Sequence, residues 1–298
     1  MAFSLDIQHK ITALAGRIRA GLENCGDNPT AAPLLDALEQ GRFSFLREPW
    51  YDISASPSDA RPAEFLLRAR DENAAPLSLA APIAEIYQNG FYALFDSAIT
   101  LAAVDRALEG SDAEKGLPVS INISTRNAGD YDALTGLHHV LQAGFKDRYR
   151  PDQVIFELLE DDRAAVISDA AMGFMIAQGY RFALDDMTDS AFDAERLNNL
   201  GPYASFVKID GRIVSAARNN PAPLIQVLDR AEIFAPKARI ICEWIDSAEE
   251  AGRFRRMFPR IGLVQGRNLG HDAQDFSRRF DQAAKNGPQY PGPSFRAG

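Results

Sequence analysis

The sequence predicts an α/β fold of the TIM-like (β/α)8 barrel class, preceded by a helical extension. From residue 42 onward, short apolar runs alternate with helical stretches, a pattern that indicates parallel βαβ units. Eight runs of this kind suit a closed barrel better than two small domains. An open doubly wound sheet is the alternative, and the lack of a Gly-x-Gly-x-x-Gly after the first strand weakens it. The predicted strands cover residues 43–46, 63–67, 119–123, 154–158, 181–184, 206–209, 239–242 and 262–264.

The helical stretches complete the predicted organisation. Between the strands lie helices predicted over residues 87–108, 133–145, 163–178, 221–234 and 247–257. We divide the chain into an extension over residues 1–30, an α/β barrel domain over residues 31–285 and a Gly- and Pro-rich tail over residues 286–298. The tail has little apolar surface to bury, so we expect it to be disordered.

The extension is predicted to form one amphipathic helix over residues 4–24. A second helix is predicted over residues 31–40, at the start of the barrel domain. The apolar side chains recur at spacings of three and four, as one face of a helix requires. They are Leu5, Ile11, Leu14, Ile18 and Leu22. This helix either caps the barrel domain or contacts a partner chain, and the sequence leaves both alternatives open.

Composition restricts the function classes. Apolar residues make up 46% and charged residues 24% of the chain, as in ordinary globular proteins. The net charge of −9 argues against a protein that binds duplex DNA through its phosphates. The two cysteines form no Cys-x-x-Cys pair, which argues against a zinc site or a disulfide framework. No membrane-spanning run or signal-peptide core is visible, so we expect a cytoplasmic protein with no membrane insertion.

Polar residues follow almost every predicted strand. One charged residue after a strand is usually a solvated loop residue or a helix N-cap. A whole series of carboxylates and amides is harder to explain in that way, because parallel barrel strands bring their ends to one face. The series comprises Glu64, Asn122, Glu157, Asp185, Asp186, Lys208, Asp210, Glu243 and Gln265.

This series predicts a site for hard metal ions. Carboxylates brought together repel one another and raise one another's pKa, and a cation relieves that repulsion. Oxygen-only ligands favour Mg²⁺ or Mn²⁺, and none of the four histidines follows a strand. Adjacent aspartates, Asp185 and Asp186, can face two ions, the usual arrangement for phosphodiester cleavage. Lys208 could orient water or neutralise phosphate, and Glu243 could act as a general base. Alternatively, Lys208 and Glu243 form only a buried ion pair.

In order and spacing, these residues resemble the EAL family of cyclic di-GMP phosphodiesterases over roughly residues 33–270. The family's Glu-Ala-Leu signature is similar to Glu64-Phe65-Leu66, and its Asp-Asp pair matches Asp185-Asp186. The other matching segments are Asn122 within INIS, Glu157 to Glu160 within ELLE, Lys208-Ile209-Asp210, Glu243 within CEWID, and Gln265-Gly266-Arg267.

The resemblance implies a barrel with one antiparallel strand, the first, and opening of cyclic di-GMP to linear pGpG. It also implies the family's habit of forming dimers. For the metal site, the resemblance implies ligation of one ion by Glu64, Asn122, Glu157 and Asp185, and of a second ion by Asp186. For catalysis, it implies a base role for Glu243, water or phosphate contacts from Lys208 and a place beside these groups for Gln265. It also implies substrate contacts from Arg68, Asp210 and Glu48, and loop support from Glu160 and Asp246.

The sequence also departs from the family. The loop at residues 187–193 reads MTDSAFD where the family has roughly F-G-T-G-Y-S-S, so both glycines and their conformational freedom are lost. Asp246 is one methylene shorter than the family's Glu, and Glu48 replaces an amide. Trp244 and Arg267 replace a small residue and an aromatic one.

Two functions therefore remain open. The kept metal ligands favour a working phosphodiesterase. The changed loop favours a catalytically impaired domain that serves as a cyclic di-GMP receptor or as a scaffold for a protein partner, with residues 1–30 as a candidate contact. A chemically different alternative is a metal-dependent barrel lyase, which also gathers carboxylates and a lysine at strand ends.

Overall fold

The structure is a computed structural model that describes residues 3–25, 30–53, 62–109, 118–160 and 166–266, together with Leu269, Phe276, Arg279 and Phe280. The tail predicted over residues 286–298 lies outside the described residues. Within the described ranges, no helix has the length and apolar character needed to cross a membrane.

The described residues form nine strands and eleven α-helices. The strands are β1 (Phe43–Pro49), β2 (Tyr51–Asp52), β3 (Ala63–Ala69), β4 (Val119–Ile123), β5 (Val154–Leu158), β6 (Arg181–Met187), β7 (Ala204–Ile209), β8 (Arg239–Cys242) and β9 (Ile261–Val264). The helices are α1 (Leu5–Glu23), α2 (Ala32–Glu39), α3 (Ala80–Gln88), α4 (Tyr92–Leu108), α5 (Arg126–Gly129), α6 (Tyr131–Phe145), α7 (Asp169–Gln178), α8 (Ala191–Leu200), α9 (Gly211–Ala216), α10 (Ala222–Phe234) and α11 (Ala248–Met257). Short 3-10 helices cover Lys146–Arg148, Pro151–Gln153 and Gly201–Tyr203.

Each of the eight predicted apolar runs corresponds to a strand, but some helix predictions are wrong. The single helix predicted over residues 87–108 is two helices, α3 and α4, because the chain turns at Gly90, whose φ is +82°. Helices α8 and α9 and the two-residue strand β2 were not predicted. All three are too short or too polar to show a clear apolar period.

The chain divides into two compact units. Unit 1 comprises Met1–Arg47 and Pro62–Phe182, and unit 2 comprises Glu48–Arg61 and Ala183–Gly298. In unit 1, the strand order is β1-β3-β4-β5, and β3, β4 and β5 run parallel. The Arg70 N–H donates to Arg42 O at 3.0 Å, which places the start of β1 beside the end of β3. Strand β1 therefore runs opposite to β3, as the resemblance implied for the first strand.

Helix α1 is an integral part of unit 1. It packs on α2 and α4, and the Ser4 N–H donates to Asp105 Oδ2 in α4 at 2.9 Å. The face predicted to be buried was partly wrong, because Leu5 is 73% exposed. The buried side chains are those of Ile7, Ile11, Ala15, Ile18 and Leu22. Of the two alternatives for the extension, a helical cap on the domain or a contact with a partner chain, these contacts favour the cap.

In unit 2, the strand order is β6-β7-β8-β9-β2. Strands β7, β8 and β9 run parallel, and β2 pairs with β9 in the antiparallel direction. The Asp210 N–H donates to Met187 O at 3.1 Å, so the ends of β6 and β7 lie side by side. Because neighbouring parallel strands end at the same edge, this unit gathers its strand-end polar residues at one place.

Candidate active site

An acidic cluster with a buried lysine lies at the strand ends of unit 2. Asp185 and Asp186 at the end of β6 and Glu243 after β8 each offer a carboxylate oxygen, and these oxygens lie within 4.8 Å of one another. Lys208 in β7 is 1% exposed, and its Nζ lies 2.7 Å from Asp185 Oδ1 and 3.0 Å from Glu243 Oε1. The ion pair that the sequence left as an alternative is therefore formed, with a second carboxylate on the same ammonium.

The backbone at Asp186 explains how two adjacent aspartates reach one cluster. Successive side chains of a regular strand point to opposite faces. Asp186 has a φ of +51°, which breaks this alternation at the end of β6. Aspartate adopts such a left-handed conformation more readily than most residues. The distortion brings the Asp186 carboxylate to the side that Asp185 and Glu243 share.

The charge balance of the cluster is negative, with three carboxylates around one ammonium. The pKa of Glu243 is raised from its ordinary 4.5 to about 7, mainly by burial and also by the charges of Asp185 and Asp186. Lys208 acts in the opposite direction and lowers it. A carboxyl group with a pKa near neutrality is suited to accept a proton at physiological pH.

Backbone hydrogen bonds fix the segment that carries Glu243. The Glu243 N–H donates to Ile209 O at 3.3 Å, and the Ile245 N–H donates to Gln265 O at 3.1 Å. Gly266 must be glycine, because a Cβ there would lie 1.9 Å from Ile245 O. The segment is thus held between the ends of β7 and β9.

Two residues predicted to contact substrate have protein partners. Gln265 Nε2 donates to Glu48 Oε2 at 3.4 Å, so Glu48 lies beside a residue predicted to adjoin the catalytic groups. Asp210 caps α9 by accepting from the Arg212 N–H at 2.6 Å, and it forms an ion pair with the Arg212 guanidinium. The substrate contacts of Glu48 and Asp210 stay predictions.

The loop at residues 187–193, which lacks the family's glycines, is ordered by its own polar groups. The Thr188 N–H and the Ser190 hydroxyl donate to Asp193 Oδ2 at 3.1 and 2.9 Å. Arg230 in α10 donates from Nη1 to the carbonyl oxygens of Asp189 and Ser190 at 3.0 and 3.1 Å. Side-chain hydrogen bonds therefore hold this loop in place, although it lacks the glycines of the family.

The same network reaches the acidic cluster through Arg196, a residue that the sequence analysis missed. Arg196 Nη1 donates to Asp185 O and to Asp193 Oδ1, both at 3.1 Å, and the side chain is 6% exposed. The pattern Ser190-x-x-Asp193 is a capping signal that could have located this helix start. The Ser190 hydroxyl does cap α8 by accepting from the Asp193 N–H.

A second group of oxygen ligands lies in unit 1. Asn122 and Glu157 are register partners in β4 and β5, and Asn122 Nδ2 donates to Glu64 Oε1 at 2.9 Å. Glu157 is fully buried, and Glu64 is 5% exposed. The buried Oδ1 of Asn122 accepts no hydrogen bond from the part of the chain that the structure describes. An oriented amide oxygen beside two carboxylates fits a hard divalent ion.

The remaining predicted residues are exposed. Arg68 lies near the end of β3, and its Nη1 donates to Leu67 O at 2.9 Å. Glu160 follows β5 by two positions. Asp246 donates its N–H to Glu250 Oε2 at 3.1 Å, at the start of α11. Arg267 lies outside the described residues.

Comparisons with known proteins agree on one family. The sequence model of the EAL domain matches residues 31–272. No curated protein sequence matches the chain.

Three of the most similar solved structures are EAL proteins. The EAL enzyme Bd1971, with cAMP and cyclic di-GMP bound, is 18% identical with a TM-score of 0.62, covering 85% of this chain and 68% of that chain. The FimX EAL domain from Pseudomonas aeruginosa, bound to cyclic di-GMP, is 19% identical with a TM-score of 0.60, covering 86% and 100%. The PaMucR phosphodiesterase complex with cyclic di-GMP is 18% identical with a TM-score of 0.57, covering 80% and 95%. The likeness shows a shared fold, and the predicted fold class of the EAL type is confirmed.

Proposed function

This chain belongs to the EAL domain family, and we propose that it binds cyclic di-GMP and opens it to linear pGpG with the help of a divalent metal ion. The observation that carries the proposal is the cluster of Asp185, Asp186 and Glu243 around the buried Lys208. Three solved relatives hold cyclic di-GMP, which makes this dinucleotide the first ligand to test.

The proposed metal ligands come from both oxygen clusters. The proposed ligands are Glu64, Asn122 and Glu157 in unit 1, and Asp185 and Asp186 in unit 2. A divalent ion bound by these oxygens, Mg²⁺ or Mn²⁺, would neutralise phosphate charge and lower the pKa of a bound water. The acceptor oxygen of Asn122 and the negative balance of the unit 2 cluster support this choice of ligand chemistry.

The protein's own groups divide the proposed reaction between them. Glu243, whose pKa is raised to about 7, takes the proton from the attacking water. Lys208 fixes the positions of Asp185 and Glu243 and lies where it can orient that water. Water attacks the phosphorus, the bond from phosphorus to the 3′ oxygen breaks, and the 3′ oxygen takes up a proton. Gln265 is the proposed neighbour of these catalytic groups, and Arg68, Asp210 and Glu48 are the proposed substrate contacts.

A second function is supported by the loop at residues 187–193. Its sequence differs from that of the family, so the chain could bind cyclic di-GMP without turning it over. The hydrogen bonds that Asp193 accepts and Arg230 donates argue for catalysis, because they order the loop despite the lost glycines. Loop support from Glu160 and Asp246 stays part of the proposal.

Three further expectations accompany this function. We propose a cytoplasmic location, a homodimer and a protein partner that contacts residues 1–30. Sedimentation of the purified protein tests the dimer, and the mass of a monomer at micromolar concentration would contradict it. The buried face of α1 is covered by α2 and α4, so a partner would have to use the exposed side of the helix, where Leu5 lies.

The direct test is calorimetry with cyclic di-GMP, first with Ca²⁺ and then with Mg²⁺, followed by chromatography of each sample. Binding with Ca²⁺ and formation of pGpG with Mg²⁺ are the expected results. Binding in both with intact nucleotide would make the chain a receptor. No binding in either would contradict both nucleotide functions and leave the scaffold.

A further inference from the structure

Trp244 stands out among the residues next to the acidic cluster. It directly follows Glu243, it is 54% exposed, and its φ is +54°. A bulky residue with a left-handed φ is strained, and such strain concentrates at functional sites. The other tryptophan, Trp50, is fully buried and packs against Phe206.

The indole ring of Trp244 lies directly against Gly211, the first residue of α9. A Cβ at Gly211 would be 2.1 Å from both Cγ and Cδ2 of the ring, so no other residue fits there without moving the ring. Gly211 is buried, whereas more than half of Trp244 faces solvent. The ring therefore has one side supported by backbone and leaves aromatic surface open beside Glu243.

Polar contacts hold the backbone that carries this ring. Arg218 Nη2 donates to Trp244 O at 3.3 Å, and Arg218 Nε donates to Glu250 Oε1 at 2.6 Å. The second oxygen of Glu250 accepts from the Asp246 N–H. Glu250 is 8% exposed and the adjoining Ile245 N–H is also bonded, so the backbone that carries the ring is held on both sides of Trp244.

We propose that Trp244 is a stacking platform for one guanine base of cyclic di-GMP and so a substrate-binding residue of the site. This inference rests on the proposed function. An exposed, backbone-supported indole offers a π surface to a base, and stacking of a base on an aromatic residue commonly changes affinity by about ten-fold to one hundred-fold.

Calorimetry with cyclic di-GMP and Ca²⁺ tests the platform in the full chain. We expect Trp244→Gly to weaken binding about ten-fold or more, and Trp244→Phe to weaken it by no more than about three-fold. Glycine suits the left-handed backbone at this position, so Trp244→Gly should not unfold the protein. Gly211→Ala keeps the indole but displaces it, and binding should weaken although the tryptophan is present.

Intrinsic fluorescence gives an independent readout. Cyclic di-GMP should quench the wild-type emission, and the quenching should disappear in Trp244→Phe, where buried Trp50 is the remaining tryptophan. Equal affinities of wild type and Trp244→Gly, with unchanged fluorescence, would overturn the platform while the proposed function stands. Failure of the wild type itself to bind cyclic di-GMP would overturn both.

Discussion

At the scale of single residues, the unusual chemistry is concentrated at the end of β6 and after β8. The left-handed φ of Asp186 gathers carboxylates that a regular strand would separate, and burial raises the pKa of Glu243. Lys208 is the counter-charge for two of these carboxylates. The cluster is therefore held together by one cation and leaves excess negative charge for a metal ion to neutralise.

Glu243 should make the stability of the metal-free protein depend on pH. Its folded-state pKa of about 7 lies above the ordinary 4.5, so folding favours the protonated form. This stabilisation is complete below about pH 4.5 and is lost as the pH rises through 7. In EDTA, we expect the urea midpoint of the wild type to fall between pH 5 and pH 8 by more than that of Glu243→Gln. Identical pH dependence of the two proteins would show that Glu243 is not perturbed.

Removal of the buried cation should destabilise the protein strongly. Lys208→Met leaves Asp185 and Glu243 buried without their counter-charge, a change that commonly costs about 3–5 kcal/mol of unfolding free energy. The matched control is Arg279→Met, which breaks an exposed ion pair with Glu249 and should cost less than about 1 kcal/mol. Urea unfolding at pH 7.5 measures both, and equal effects would refute the burial argument.

At the scale of elements, the predicted loop at residues 187–193 comprises the last residue of β6, a connection at residues 188–190 and the first turn of α8. Asp193 accepts from Thr188 and Ser190, and Arg230 reaches the loop carbonyl groups from α10. The order of the loop therefore depends on side chains that a motif comparison with the family does not include.

Arg230→Met should loosen this loop without unfolding the unit. Two loop carbonyl groups lose their donor, which costs about 1–3 kcal/mol locally. Hydrogen exchange should become faster at residues 188–193 and stay unchanged in β7. The control Arg253→Met lies on α11, where it should leave exchange in the loop unaltered. Unchanged exchange in Arg230→Met would mean that Asp193 alone orders the loop.

The elements also show which features sequence reasoning can predict. The strand ends were predictable because apolar runs end at polar residues, and Asn122 and Glu157 followed from this pattern. Glu64 did not, because it is the second residue of β3 and not a strand-end residue. The pairing of β2 with β9 was not, because two residues carry no periodic signal. The φ of Asp186 and the contact of Trp244 with Gly211 depend on residues distant in sequence, and no local propensity encodes them.

At the scale of the whole molecule, the chain consists of two compact units, and each contains its own group of carboxylate or amide oxygens that we propose as metal ligands. Residues 1–30, predicted to be an extension, contribute α1 to the packing of unit 1. The family match begins at residue 31, so α1 lies outside the matched segment, and we expect the stability of unit 1 to depend on its packing against α2 and α4.

Paired substitutions in α1 test this dependence. Ile11→Ala removes a fully buried side chain and should cost about 2–5 kcal/mol of unfolding free energy. Leu5→Ala removes a side chain that is 73% exposed and should cost less than about 0.5 kcal/mol. A small and equal effect of both substitutions on thermal unfolding would show that α1 is not packed on the unit.

The most direct test of the central claim is a chromatographic assay of cyclic di-GMP with Mn²⁺, comparing wild type with Glu243→Gln. Glutamine keeps the shape of the side chain but cannot accept the proton, so we expect pGpG from the wild type and a loss of about 100-fold or more in Glu243→Gln. Calorimetry should show that both proteins bind the dinucleotide. Equal rates in the two proteins, or no pGpG from a wild type that binds, would contradict catalysis at this cluster.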